Sequence, residues 1–239
     1  MTVNFDQGSP QFLARLAGVL YLLVVPTGIF SLIYVPSQVY VSGDPSATAE
    51  RILASETLFR LGIVSDQIGS LLMICVVLVL YKLLRHVNKD VARLMVILVV
   101  IAVPIVLLNG VNQLGALRLL SGSSSLAPFA TEQLEALAFH FLIIQKYGTS
   151  VAFIFWGGWL LPLGYLIIRS GFLPKFVGIL LLIAALGYLA DSFGSFLGFD
   201  VGVGIYTGWG EIVFLIWLLV RGVDVEKWQV REYGAARSL

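Results

Sequence analysis

The chain has 239 residues, of which 59% are hydrophobic and only 12% charged, and its mean hydropathy is +0.95. A soluble domain carries about a quarter charged residues, so this composition excludes that class and specifies an integral membrane protein whose first partner is the lipid bilayer. The formal net charge of +1, with no patch of interleaved basic and aromatic residues, argues against a nucleic-acid partner, and a single cysteine, Cys75, cannot form an internal disulfide.

In chain order, Met1 to Gln11 is short and polar, and Phe12 to Tyr34 is the first span. That span has no small-x-small cleavage site after its apolar stretch and contains Pro26, so it reads as an uncleaved helix rather than a signal peptide. Val35 to Thr57 is a polar loop with Pro36, Gly43, Asp44 and Pro45, in which Ala47 to Ser55 forms an interfacial helical turn. The second span is Leu58 to Tyr81 and the third Val91 to Leu120, after which the SGSSS run from Ser121 marks a loop. The fourth, Leu134 to Ile168, exceeds what the ~30 Å hydrocarbon core requires at ~1.5 Å per residue, so it must tilt, bend or project, and Pro162 is the expected bend. A fifth span covers Phe172 to Phe196 and a sixth Tyr206 to Val220. The expected fold is all-α, a polytopic transmembrane helix bundle of six spans forming a single transmembrane domain over residues 1–239.

The placement of Lys and Arg sets the expected orientation. Lys82, Arg85, Lys89 and Arg93 lie between spans two and three, Arg169 and Lys175 between four and five, and Arg221, Lys227, Arg231 and Arg237 in the tail. The opposite loops are poorer in basic residues, so the positive-inside rule puts both termini in the cytoplasm. His86 lies in the basic turn and His140 near the outer end of span four, too few for a metal-ligand cluster of the usual spacing; no metal and no cofactor is expected.

Depth is the most informative property of the polar residues. Asp66, Asn109 and Asp191 each lie sixteen residues from the basic anchor of their own helix, at Lys82, Arg93 and Lys175, or ~24 Å above the inner interface. Asn109, Asn112 and Gln113 share one helical face. Glu211 lies ten residues from Arg221, ~15 Å deep and near the midplane. It follows a stretch with glycines at 202, 204, 208 and 210, and a short, glycine-interrupted span points to a binding site.

Asp66, Gln67, Asn109, Asn112, Gln113, Gln145, Lys146, Thr149, Asp191, Ser192 and Glu211 thus read as a polar pocket open to the outer side, with Tyr147, Tyr206 and Trp209 as candidate walls. For Tyr206 and Trp209 the outer aromatic belt is an equal alternative. The competing structural reading is a set of interhelical bonds, including an ion pair of Lys146 with Asp191. Such bonds average about 0.6 kcal/mol, a small return for so many ionisable groups in one layer. The expected function is therefore binding or transport of a small polar or amphipathic molecule, or of a cation. The alternatives are a structural or assembly partner of another membrane protein, and a membrane-embedded enzyme using carboxylates alone, since no activated nucleophile is present.

Several stretches also carry a family resemblance: ARLAGVLYLL near the start, Gly43-Asp44 followed by ATAERILASETLFRLGIVSDQIG, Leu80 to Asn88, Tyr147-Gly148, Gly164-Tyr165 and RSGFLPKFVGILLLIAALGYLADS. Together they resemble a bacterial membrane family known as domain of unknown function 4386, over about Phe12 to Val220. The resemblance implies a multi-pass protein of the bacterial cytoplasmic membrane and no particular activity. Members of that family often carry His just ahead of the Tyr-Gly pair, where this chain has Gln145 and Lys146.

Overall fold

A computed structural model describes residues 9–199 and 201–236; Arg237, counted above among the basic tail residues, lies outside them. The described residues are helical with no strand: α1 (Pro10–Ile29), a π-helical turn (Phe30–Tyr34), α2 (Val35–Val39), α3 (Pro45–Ala54), α4 (Glu56–Leu84), α5 (Lys89–Leu120), α6 (Thr131–Gly158), α7 (Leu160–Ser170), α8 (Lys175–Phe196), α9 (Gly204–Thr207), α10 (Trp209–Val220) and α11 (Val225–Ala236). Five helical stretches are long and apolar enough to cross a membrane: Pro10–Val39, Glu56–Leu84, Lys89–Leu120, Thr131–Ser170 and Lys175–Phe196. Gly204–Val220 is a shorter apolar stretch. Large apolar side chains such as Leu108, 71% exposed, and Leu186, 62% exposed, stand outward from the spans. In water they would be an aggregation hazard, whereas acyl chains are their natural surroundings. The chain is a multi-pass membrane protein.

Helix ends differ from the sequence expectation where local chemistry extends them. The first helical stretch does not stop at Tyr34 but runs to Val39. Pro36 has no N–H to offer the carbonyl of Leu32, and the turn before it widens, with the Val35 N–H reaching back to the Phe30 carbonyl. The expected interfacial turn is a full helix, α3, because Asp44 accepts from the Ala47 N–H at 2.9 Å and Pro45 occupies the first helical position. Helix α5 starts at Lys89 because the Asn88 side chain accepts from the N–H groups of Asp90 and Val91, both at 3.1 Å. The fourth span does break, but at Trp159 between α6 and α7 rather than at Pro162 itself. The proline ring crowds the carbonyl four residues earlier, on Gly158, so the irregularity falls one turn ahead of it.

The chain groups into two compact units, one of Met1–Leu23, Leu72–Ala102 and Phe153–Leu239, the other of Val24–Leu71 and Val103–Ala152. In the first, α7 and α8 pack on each other so closely that a Cβ on Gly164 would lie 2.8 Å from the Gly178 carbonyl oxygen. Helix α10 approaches α8 in the same way, since a Cβ on Gly210 would lie 2.6 Å from the Leu180 carbonyl oxygen. In the second unit Val35, Ile52, Phe59, Ile63, Leu117 and Leu142 form a buried cluster drawn from α2 to α6.

The tail is not merely polar. Helix α11, capped by Asp224 on the Lys227 N–H at 3.2 Å, buries Trp228, whose indole N–H donates 2.9 Å to the carbonyl of Leu83. That carbonyl lies in the last turn of α4, where no intrahelical partner exists. His86 stands edge-on to Trp228 at 5.3 Å, with Nε2 3.6 Å from Oε1 of Glu232. Burial pushes the imidazole below its ordinary pKa, with Arg85 acting in the same sense and Glu232 opposing it. The unfolded chain then takes up this proton first, so stability falls as pH drops through about 6.5. Between pH 8 and 5.5 the thermal midpoint of the wild type in detergent is expected to fall further than that of His86→Gln. Parallel curves would show that His86 is as free in the folded state as in the unfolded one.

Candidate functional site

Within each unit the polar residues form local clusters, and Glu211, Asp191 and Asp66 each meet a different fate. Glu211 sits in the first turn of α10 in the first unit. Its Oε1 accepts from the hydroxyl of Tyr188 on α8 at 2.7 Å, and its Oε2 accepts from the hydroxyl of Tyr21 on α1. Tyr21 is only 4% exposed and lies edge-on to Trp159 at 6.3 Å. Tyr188 lies edge-on to Phe153 at 5.6 Å. Both oxygens of Glu211 are therefore held by donors that are themselves fixed by aromatic packing.

Asp191, on α8, accepts from the N–H of Val203 at 2.9 Å through Oδ1 and of Gly204 at 2.7 Å through Oδ2. These groups open α9, so the acid stabilises the chain's turn ahead of α10. A Cβ on Gly204 would lie 2.6 Å from Asp191 Oδ2 and 2.9 Å from Tyr188 Cδ1. The glycine there admits the carboxylate and the ring, which is a packing requirement in its own right.

In the second unit, Asn109 on α5 donates through Nδ2 to the Gln145 carbonyl at 2.8 Å and to Thr149 Oγ1 at 3.2 Å on α6. Asn112 donates to Asn109 Oδ1 at 3.1 Å, and Gln145 Nε2 to Thr149 Oγ1 at 3.1 Å. A Cβ on Gly148 would collide with the Asn109 amide, which explains the glycine of the Tyr147-Gly148 pair: α6 must leave room there for α5. Gln67 lies against the backbone of α5, its Nε2 2.9 Å from where a Cβ on Gly110 would stand.

Asp66, on α4 in the same unit, is the exception. Its Oδ1 receives only the Ser31 hydroxyl, at a long 3.4 Å, and among the described residues Oδ2 has no hydrogen-bond partner. Asp66 is half-buried, and its oxygen without a partner is not wholly covered. Ser31 belongs to the π-helical turn, and such turns recur at functional sites. The Thr27 hydroxyl lies against Gly69, one turn from Asp66, and Ser65 Oγ donates to the Thr27 carbonyl at 3.3 Å.

The remaining candidates are peripheral. Lys146 is exposed, Tyr147 is 49% exposed, Trp209 67% and Tyr206 78%. Gln113 is half-buried. Among the described residues, ion pairs join Arg60 with Glu56, His86 with Glu232, Arg93 with Asp90 and Lys227 with Asp224. No three His, Cys, Asp or Glu side chains come together among the described residues in a way that could hold a metal ion.

A family model described as Domain of unknown function (DUF4386) matches residues 16–222. The chain belongs to this family. An uncharacterized protein of Archaeoglobus fulgidus is 42% identical over 72 residues, which cover 30% of this chain and 44% of that relative. The chain thus spans under half the length of the curated relative it matches. No solved structure matches. In this member of DUF4386 the Tyr-Gly pair is preceded by Gln145 and Lys146, and the carbonyl and amide of Gln145 both serve the Asn109 network.

Three partners escape sequence reasoning. Tyr188 could have been found, since it stands three residues before Asp191 and shares its helix face. Tyr21 and Ser31 carry no local signal. If the two tyrosine hydroxyls hold the Glu211 carboxylate, Tyr188→Phe costs about 1–3 kcal/mol in the wild type and much less in a Glu211→Gln background. Unfolding of the four proteins in one detergent measures this coupling, and an equal loss in both backgrounds would show the hydroxyl to be idle.

Proposed function

We propose that this DUF4386 protein binds a small cation, or a polar or amphipathic ligand bearing a primary ammonium group, at Asp66. The observation that carries this reading is the state of that side chain. It is a half-buried carboxylate within a membrane span, with one long hydroxyl contact and no cation paired to it among the described residues. An acid in that position is costly, and its usual reason is function. Glu211 and Asp191 have complete internal partners and act as positioning groups for α10 and α9. The neutral amides of Gln67, Asn109, Asn112, Gln113 and Gln145 add polarity without charge to the unit that holds Asp66, so a cationic ligand meets no competing basic group from them.

We further propose six spans with Gly204–Val220 as the sixth, both termini cytoplasmic, in a bacterial cytoplasmic membrane. This is supported by the apolar character of that stretch and by the clustering of Lys82, Arg85, Lys89, Arg169, Lys175 and Arg221 at one set of span ends. A role as assembly partner of another membrane protein is the second reading, favoured by the completeness of the Glu211 and Asn109 networks, which bind helices to one another.

The test compares thermal unfolding in sodium, methylammonium and choline chloride at equal ionic strength. A ligand at ten times its Kd stabilises by about 1.4 kcal/mol, a shift of a few degrees. Sodium or methylammonium is expected to raise the midpoint of the wild type over choline, and Asp66→Asn to fold but not respond. Identical wild-type midpoints in all three salts, or an unchanged response in Asp66→Asn, would remove Asp66 as the site.

A further inference from the structure

Two connections meet in the first unit. The turn from α7 to α8 and the turn from α10 to α11 are joined by the Asp224 N–H, which donates 3.1 Å to the Phe172 carbonyl. Between them lies a cleft of about 280 Å³, walled by Phe172, Pro174, Trp217, Arg221, Asp224 and Lys227. The cleft is built rather than incidental. Gln11 fixes its floor, donating through Nε2 to the Arg221 carbonyl at 3.0 Å and accepting from the Val223 N–H at 3.0 Å. Gly222 turns there with φ +66°, a conformation that favours glycine.

The charge in this cleft is unbalanced. Lys227 and Asp224 pair at 2.8 Å, whereas the Arg221 guanidinium has neither ion pair nor hydrogen bond among the described residues. Continuing from the cleft along α8 and α10 is an uncovered apolar strip, with Phe176 49%, Ile216 54% and Val220 66% exposed. Phe176 stands edge-on to Trp217 at 5.6 Å, so the strip begins at the cleft wall.

We propose that this cleft holds the phosphate of an anionic membrane phospholipid, with Arg221 and Lys227 on the headgroup and an acyl chain along Phe176, Ile216 and Val220. A guanidinium fork matches two phosphate oxygens, and Lys227 supplies a point charge beside it. Basic recesses at the ends of spans recur as headgroup sites. A soluble phosphate would use only the charges; a lipid uses the charges and the apolar strip together. The site is separate from Asp66 and stands whether or not that acid binds a cation.

Native mass spectrometry of the full chain from a neutral detergent tests this with phosphatidylglycerol, phosphatidylcholine and glycerol 3-phosphate as probes. The wild type is expected to retain phosphatidylglycerol over phosphatidylcholine. Removing one cation, in Arg221→Gln or in the exposed Lys227→Gln, should weaken retention about fivefold, the effect of one basic residue near a charged membrane. Arg221→Lys should recover part of it, and Arg93→Gln, which removes an equal charge elsewhere, should leave it unchanged. Equal retention of both lipids, or an equal loss in Arg93→Gln, overturns the proposal in favour of general surface attraction. Retention of glycerol 3-phosphate as strong as that of the lipid overturns the lipid assignment in favour of a soluble phosphate.

Discussion

Each carboxylate placed within an apolar helix must find donors inside the protein, and that constraint organises what is unusual in this chain. Glu211 meets it with two tyrosine hydroxyls, from Tyr21 on α1 and Tyr188 on α8, so that one acid draws three helices together. Asp191 meets it with two backbone N–H groups at the start of α9. These two groups need partners as much as the acid does, since no water reaches an unpaired amide in hydrocarbon. Asp66 meets the constraint only in part, through Ser31 at 3.4 Å, and this incompleteness separates it from the other two. The argument from magnitude is the same in each case. A neutral hydrogen bond adds about 1 kcal/mol, a bond to an ionised group about 1.5–3, and a buried polar group left alone costs as much.

Small residues make these arrangements sterically available. Gly204 gives room to Asp191 and Tyr188, Gly148 to Asn109, and Gly210 to the Leu180 carbonyl. The glycine-rich entry to α10 therefore has a packing explanation that competes with the ligand-site explanation its sequence suggests. Close backbone approach is the main route by which helices associate in lipid, where no hydrophobic force drives them together.

The apolar runs made the spans legible, because acyl chains tolerate nothing else over that length. Their ends were less legible, because polar residues set them: Asn88 and Asp44 start helices through caps that hydropathy does not register. Helix α11 was hidden by its charged residues, and Trp228 was the one signal of burial in it. The level of Asp66, Asn109 and Asp191 could be counted from the basic anchors, but level alone does not reveal partners. Tyr21 is 190 residues from Glu211 in the chain, and no local pattern joins such residues. Lys146, expected as an internal counter-ion, is exposed, since its place on α6 differs by about 100° from that of Gln145, which does turn toward Asn109.

The central claim is that Asp66 is an accessible cation site within the membrane. The most direct test is charge displacement in wild-type proteoliposomes adsorbed to a solid-supported membrane, recorded on a jump from choline to sodium or methylammonium chloride. The account predicts a transient current from binding that saturates with concentration and is absent in Asp66→Asn but present in Glu211→Gln, if that variant folds. A wild-type trace equal to that of empty liposomes, or a current that persists in Asp66→Asn, would contradict it.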